Sequence, residues 1–98
     1  MSDTLTQKQI KTLKGIAQRL DFEVRLGKAG LTDAFIKGLD ETLAKRELVK
    51  VRFSDHKDER KELSLEIAEK TGAQLITRVG HVSVFYRKNP DAKEPILK

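Results

Sequence analysis

The chain switches between two kinds of apolar pattern, and the order of these segments most constrains its fold. Apolar residues recur three or four positions apart, as on one face of a helix, over residues 6–20, 32–46 and 58–70. Apolar and polar residues alternate, as in half-buried strands, over residues 22–26 and 48–53, and two further strands are predicted over residues 73–79 and 82–87. The sequence therefore predicts the order α-β-α-β-α-β-β, with the last two strands joined by a tight hairpin at Gly80-His81.

This order predicts a two-layer α/β fold built on a four-stranded mixed sheet. Right-handed β-α-β crossovers make the first three strands parallel to one another, and the final hairpin adds an antiparallel strand. Strands covered by helices on both faces are continuously apolar, and these strands are not. Charged residues share the alternate phase of the strands: Arg25, Lys50, Arg52, Arg78 and Arg87, with Glu23, Ile76 and Phe85 among them. We therefore expect one sheet face to be partly open and basic.

The composition favours a polyanionic partner and gives little support to catalysis. Lys and Arg outnumber Asp and Glu by 20 to 15, so the net charge is +5. The absence of cysteine excludes disulfides and thiolate metal sites. His56 and His81 have no partner carboxylate at a useful spacing, and no Walker motif is present. We therefore expect no enzymatic activity, no cofactor, no metal and no small-molecule substrate.

The length fits one domain, because single cores usually occupy about 100–150 residues. Residues 89–98 contain both prolines and no periodic pattern, so we expect a domain over residues 1–88 and a flexible C-terminal tail. The chain has no run of 18 apolar residues and no signal peptide, so we expect no membrane contact and a cytoplasmic protein.

A glycine pair, Gly27-Lys28-Ala29-Gly30, lies between a predicted strand and the start of a predicted helix. Helix N-terminal amides and the helix dipole favour anions, and glycines let a phosphate approach the backbone closely. Lys28 adds a mobile cation, and KH domains clamp nucleic-acid backbones with such a GxxG loop. Because GxxG is frequent by chance, this position between strand and helix is what favours a phosphate-binding loop over a plain β-α turn.

Charge is sorted between the first and third helices. The first helix has a basic stripe of Lys8, Lys11, Lys14 and Arg19, opposite its apolar face. The third has an acidic stripe of Glu59, Glu62, Glu66 and Glu69. This sorting would turn the third helix away from a nucleic acid and the first towards it, although mixed charge on a helix is also typical of ordinary solubility.

Several motifs, in this order along the chain, resemble the CRM domain (chloroplast RNA splicing and ribosome maturation). They are Leu5-Thr6-x-Lys8-Gln9, Gly27-Lys28-x-Gly30-Leu31-Thr32, Glu47-Leu48-Val49-Lys50-Val51, Thr71-Gly72-Ala73 and Val84-x-Tyr86-Arg87. A single copy over residues 5–88 is similar to the bacterial YhbY type. Ala29 departs from the polar residue expected there in many members, which would remove one hydrogen bond to RNA but keep the backbone geometry.

The resemblance implies a fold similar to the C-terminal domain of translation initiation factor three. It also implies RNA binding and association with precursors of the large ribosomal subunit, and we expect a monomer. The RNA-binding loop of the family corresponds to Gly27, Lys28, Ala29 and Gly30. From the charge pattern, we expect Lys8, Lys11, Lys14, Arg19 and Arg25 to extend the RNA-binding surface. The alternatives are a protein-protein adaptor on ribosome precursors that uses the acidic third helix, and a nonspecific DNA binder.

Overall fold

A computed structural model describes residues 5–91 and 95–97 of the chain. The elements follow the predicted order: α1 (Gln7–Arg19), β1 (Val24–Leu26), α2 (Asp33–Arg46), β2 (Leu48–Phe53), α3 (Arg60–Thr71), β3 (Gln74–Val79) and β4 (Val82–Tyr86). A short 3-10 turn, Lys57–Glu59, precedes α3. β1 is shorter than predicted, because Phe22 lies before the strand with its ring under the Arg46 guanidinium.

The four strands form one mixed sheet in the order β1-β2-β4-β3. β1 and β2 are parallel, whereas β4 runs antiparallel to both of its neighbours, β2 and β3. β1, β2 and β3 therefore all point in the same direction, as the right-handed crossover rule predicts. The α/β class and the four-stranded mixed sheet expected from the sequence are confirmed.

Two helices begin with a threonine cap. The Thr6 hydroxyl accepts the Gln9 amide at 3.1 Å, and the Gln9 side chain accepts the Thr6 amide at 2.9 Å. This reciprocal capping box satisfies two backbone donors at the start of α1. The Thr32 hydroxyl accepts the Phe35 amide at 3.0 Å and fixes the start of α2 immediately after the glycine pair.

The larger hydrophobic core lies between one sheet face and helices α2 and α3. Its buried residues are Leu26, Leu39, Leu43, Val49, Val51, Phe53, Ile67, Ala73 and Phe85. A second cluster lies on the other sheet face, where α1 packs through Leu13 and Ala17 against Leu48, Val84 and Tyr86. Helix α1 therefore adds a partial third layer to the two layers expected, and covers part of the face that we expected to be open.

The phase predicted for β4 is wrong, because its polar residue faces inward. The hydroxyls of Ser83 and Ser64 of α3 are 2.7 Å apart and both residues are fully buried, so Ser83 lies on the α2-α3 side. Phe85 shares that side and lies in the larger core, whereas we expected it among the basic residues of the open face. Arg87 follows in the same phase, and its guanidinium pairs with Asp40 of α2.

Arg78 also lies on the side opposite to the one predicted. The pairing of β3 with β4 shifts between Leu75 and Thr77, and beyond this bulge Arg78 pairs with Ser83. An inserted residue reverses the side that every later residue faces. The basic sheet face therefore consists of Arg25, Lys50 and Arg52, without Arg78 and Arg87.

The described part of the C-terminal segment contacts the domain. The backbone amides of Asn89 and Ile96 donate to the two carboxylate oxygens of Glu47 at 2.9 and 3.1 Å. Ile96 and Leu97 pack against the cluster under α1. These contacts connect residues beyond 88 to the domain that we expected to end at residue 88, and the flexibility of this segment stays a prediction.

Candidate nucleic-acid interface

The Gly27–Gly30 segment forms a tight, mostly exposed turn between β1 and α2. The Gly30 amide donates to the Gly27 carbonyl at 3.1 Å, which closes the turn. Gly30 has a φ of +72°, a conformation that favours glycine because it has no Cβ. The Thr32 amide donates to the Gly30 carbonyl at 2.9 Å, so the turn runs directly into the capped N-terminus of α2.

The turn leaves several backbone donors open to a ligand. Within the described chain, the amides of Gly27, Lys28 and Ala29 donate no hydrogen bond. The Gly30 amide already donates to the Gly27 carbonyl inside the turn, so it is not available to a ligand. The first amides of α2 also lack helical acceptors, but the exposed Asp33 carboxylate at the same terminus opposes an anion there. The groups that the loop leaves available to an anion are therefore the amides of Gly27, Lys28 and Ala29 and the exposed Lys28 ammonium.

His56 contacts this turn from the loop after β2, a contact that the sequence did not predict. Its Nε2 lies 2.8 Å from the Lys28 carbonyl oxygen, and its Nδ1 lies 3.4 Å from the Glu59 carboxylate. We expected His56 to have no partner carboxylate, and Glu59 corrects this. The hydrogen bond to the Lys28 carbonyl, followed by that to Glu59, raises the pKa of His56 above its usual value because both acceptors favour the imidazolium.

Three loops meet at one edge of the sheet. Leu26 and Phe53 are paired at the ends of the parallel strands β1 and β2, and the Ser54 amide donates to the Leu26 carbonyl at 3.0 Å. The Phe53 amide donates to the carbonyl of His81, in the hairpin between β3 and β4, at 2.7 Å. The glycine-pair turn, the His56 loop and the hairpin therefore share the edge at the carboxyl ends of β1 and β2, where open α/β sheets commonly bind ligands.

Of the cations on the basic sheet face, Arg25 is the one open to a ligand. Arg25 is exposed and pairs in register with Arg52, so both lie on the α1 side of the sheet. The Arg52 Nε lies 2.6 Å from a Glu23 carboxylate oxygen. The Lys50 ammonium donates to the carbonyl of Leu20, the C-cap residue of α1, at 2.7 Å. Lys50 and Arg52 therefore contribute mainly to the structure, whereas within the described chain no acid pairs with Arg25.

The basic residues of α1 are all exposed, but they point in different directions. Lys14 lines a cleft of about 260 Å³ between α1 and the sheet, together with Lys50 and Arg52. Lys8, Lys11 and Arg19 lie on the side of α1 that faces away from the sheet, at 100° per residue. The structure therefore brings Lys14 next to the sheet cations. Within the described chain, no hydrogen bond or ion pair joins the side chain of Lys8 or Arg19 to the glycine-pair turn.

The acidic stripe of α3 is exposed, as predicted, and lies on the other side of the molecule. Glu59, Glu62, Glu66 and Glu69 are all solvent-exposed, and Glu66 is 3.7 Å from Lys70 on its own helix. α3 packs into the larger core on one sheet face, whereas α1 packs on the opposite face. The basic and acidic stripes are therefore separated by the sheet.

Other kinds of site have no support in the described chain. None of its helices is long and apolar enough to cross a membrane. Its His, Asp and Glu residues form no group of three that could hold a metal ion.

Comparisons with known proteins identify the same family along the chain. The family model of the CRS1 / YhbY (CRM) domain matches residues 5–87. An RNA-binding protein of Haemophilus influenzae is 36% identical over 91 residues, which are 92% of this chain and 92% of that protein. A chloroplastic CRM-domain containing factor of Arabidopsis thaliana is 29% identical over 85 residues, which cover 86% of this chain and only 8% of the plant protein.

A solved structure has the same fold. The solution structure of the hypothetical protein SAV1595 from Staphylococcus aureus matches with a TM-score of 0.79 and 35% sequence identity. The match covers 97% of this chain and 100% of the staphylococcal one. The arrangement of three helices on a four-stranded mixed sheet therefore extends to a relative of the same length.

Proposed function

Because the chain belongs to the CRS1 / YhbY (CRM) domain family, we propose that it is a non-enzymatic RNA-binding protein that holds structured RNA by its phosphate backbone. The observation that carries this proposal is the turn between β1 and α2, where the Lys28 and Ala29 amides have no acceptor within the described chain. Donors of this kind, with a lysine beside them, suit a phosphate oxygen. The names of the Haemophilus influenzae and other bacterial relatives, which describe RNA-binding proteins, support the same partner.

The footprint on RNA extends from the turn across the α1 side of the sheet. Arg25 adjoins the turn through β1, and Lys14 follows across the cleft, so these cations can contact successive phosphates. Lys11 is one helical turn from Lys14 and extends the footprint along α1, whereas Lys8 and Arg19 lie further round the helix. The described chain has few exposed aromatic rings on this side, which favours backbone and shape contacts over base stacking.

The cellular role that we propose is assembly of the large ribosomal subunit in the cytoplasm, as the family resemblance implies. In this role the partner is ribosomal RNA within a precursor particle, bound by a monomer. Sedimentation of cell extracts tests this part separately, since the protein should migrate with precursors of the large subunit and be absent from mature ribosomes. If the protein migrates with neither the precursors nor the mature ribosomes, the proposed role in assembly is wrong, whereas the proposed RNA binding is unaffected.

Replacing Lys28 with alanine tests the loop. We expect Lys28→Ala to weaken the affinity for structured ribosomal RNA about fivefold or more, and to lower the slope of log affinity against log salt by about one, because one phosphate contact is lost. The melting temperature should stay unchanged, since the Lys28 side chain is exposed. Affinity is measured across a salt series by fluorescence anisotropy.

Lys45→Ala is the matched control for this experiment. Lys45 is an equally exposed lysine in the last turn of α2, about 20 Å along the helix from the loop. It should bind RNA with the affinity and salt slope of the wild type. Equal losses in the two variants would contradict the loop assignment, and no binding by the wild type at low salt would contradict RNA binding altogether.

The acidic stripe of α3 favours one alternative, a protein-protein adaptor on ribosome precursors. Its four glutamates are exposed and are separated by the sheet from the basic surface of α1. If these glutamates form a docking surface, changing Glu62 and Glu66 to lysine should abolish binding to the partner protein. An RNA-binding protein would keep or improve its affinity for RNA in the same variant, because positive charge is added.

A further inference from the structure

The glycine-pair turn needs support from outside itself if it is to present its amides in one geometry. Gly27, Lys28 and Ala29 are exposed, and the hydrogen bond from Gly30 to Gly27 closes the turn only locally. Glycines lose more conformational freedom on ordering than other residues, so a ligand that ordered the turn would bind less tightly. A contact that fixes the turn before RNA arrives would therefore raise affinity.

His56 makes that contact through the backbone of Lys28. A carbonyl oxygen can only accept, so His56 Nε2, at 2.8 Å, must donate to it. The bond fixes the peptide unit between Lys28 and Ala29, whose N–H is one of the open donors of the turn. His56 Nε2 also lies 3.5 Å from the position that a Cβ on Gly30 would take, so the ring lies close to Gly30 as well as to Lys28.

The loop that carries His56 is itself held by several hydrogen bonds. The His56 amide donates to the Asp55 carboxylate at 2.8 Å, and the His56 carbonyl accepts the Glu59 amide at 3.0 Å. His56 has a φ of +57°, which histidine adopts only at a cost. These bonds fix that backbone and aim the ring at the neighbouring turn, 28 residues earlier in the chain.

We propose that His56 is a positioning residue of the RNA-binding site, which orders the Gly27–Gly30 turn and, as an imidazolium, strengthens the binding of RNA as the pH falls. This inference rests on the proposed function, because it concerns the affinity of the same loop for RNA. It adds a residue from a different loop to the site and makes the site sensitive to pH near neutrality.

The charges around His56 set the direction of this effect. The ring has two acceptors, the Lys28 carbonyl in the turn and the Glu59 carboxylate in its own loop. The Asp55 carboxylate, which accepts the His56 backbone amide, adds negative charge nearby, so all three groups favour the charged form of the ring. With both nitrogens protonated, the ring donates to Lys28 and to Glu59. The neutral ring has one N–H, and its second nitrogen would face the Glu59 carboxylate as a lone pair.

The sign follows from the raised pKa of His56. Stabilisation of the folded loop by the imidazolium is complete below the unfolded pKa of about 6.5, and it is lost as the pH rises through the higher folded value. RNA affinity should follow the same direction, because the charged ring both orders the turn and adds positive charge near the phosphate.

The test compares wild type, His56→Gln and His56→Ala in RNA affinity from pH 6 to pH 8.5 at constant salt. We expect wild-type affinity to fall about three- to tenfold over this range, a change typical of one charged hydrogen bond. Glutamine can still donate to the Lys28 carbonyl but carries no charge, so this variant should bind without the pH dependence. Alanine should bind more weakly at every pH. Glu59→Gln should reduce the pH dependence, and His81→Gln, which removes the exposed histidine of the hairpin, should keep it.

A measurement without RNA separates failure of this inference from failure of the proposed function. Nitrogen-15 relaxation should find the Lys28 and Ala29 amides ordered in the wild type at pH 6 and more mobile in His56→Ala. If these amides are equally ordered and the variant binds RNA as the wild type does, His56 does not position the loop. If the wild type itself fails to bind RNA, the proposed function is wrong, whatever the relaxation data say.

Discussion

Glu47 is a buried carboxylate whose partners come from the far end of the chain. The residue is 3% exposed, and its two carboxylate oxygens accept the Asn89 and Ile96 amides. Its own carbonyl accepts the Arg87 amide at 2.8 Å. A buried charge needs such donors to compensate for lost hydration, so this one residue fixes both the end of α2 and the C-terminal segment.

Replacing Glu47 with alanine should lower the free energy of unfolding by about 2–4 kcal/mol, because two charge-assisted hydrogen bonds are lost and two amides are left without acceptors. The φ of Glu47 is +63°, and alanine bears the same backbone strain, so the change isolates the side chain. Glu41→Ala, at an exposed position of α2, is the control and should change stability by less than about 0.5 kcal/mol. Urea unfolding followed by circular dichroism measures both, and a loss for Glu47→Ala as small as the control's would mean that the segment contributes nothing to stability.

The buried serine pair connects two elements that the sequence does not connect. Ser64 lies in the middle of α3 and Ser83 in β4, and their hydroxyls are 2.7 Å apart with no solvent exposure. A hydroxyl in an apolar core is costly unless it has a partner, and here each hydroxyl satisfies the other. The pair therefore determines which face of β4 turns towards α3.

A double-mutant cycle tests this coupling. Ser64→Ala and Ser83→Ala should each cost about 1–3 kcal/mol, because each leaves the other hydroxyl buried without its partner. The double variant should cost clearly less than the two together, since no unpaired hydroxyl remains. Stability is measured by urea unfolding of all four proteins. Additive costs would mean that the two hydroxyls are satisfied independently.

The positions of helices and strands were predictable where local signals determine them. The side of the sheet that a strand residue faces was not predictable where contacts distant in sequence determine it. Thr6 and Thr32 start helices through bonds within four residues, so α1 and α2 begin where expected. The β4 phase depends on Ser64, and the side that Arg78 faces depends on a bulge near residue 76. Neither the contact with Ser64 nor the bulge can be recognised from the pattern of apolar and polar residues in the strands.

The candidate site was predictable to a similar extent. The Gly27–Gly30 turn carries a local signal, because its two glycines lie between a predicted strand and the start of a predicted helix. The support from His56 depends on the parallel pairing of Leu26 with Phe53, which brings two loops distant in sequence to the same edge. A lone histidine in a loop gives no sign of such a partner, and the docking of Ile96 on Glu47 escaped prediction for the same reason.

Across the whole molecule, the sheet separates charges of opposite sign. The basic stripe of α1 and Arg25 lie on one side of the sheet, and the exposed glutamate stripe of α3 lies on the other, although the net charge is only +5. Such a distribution orients the protein in the field of a polyanion before contact, which raises the association rate. The positions of the charged residues, more than the net charge, should therefore determine the affinity for RNA.

Two double variants with the same net charge test this. Lys11→Glu with Lys14→Glu, and Lys61→Glu with Lys70→Glu, each lower the net charge from +5 to +1, and all four lysines are exposed. We expect the α1 variant to lose about tenfold or more in RNA affinity at low salt, and its salt slope to fall by about 1.5–2, because two phosphate contacts are removed. The α3 variant should keep the salt slope and change affinity by less than about threefold, since its lysines face away from RNA. Affinities come from anisotropy across a salt series, with circular dichroism to verify folding. Equal losses would mean that net charge alone governs binding, and a larger loss in the α3 variant would place the RNA on the opposite side of the sheet.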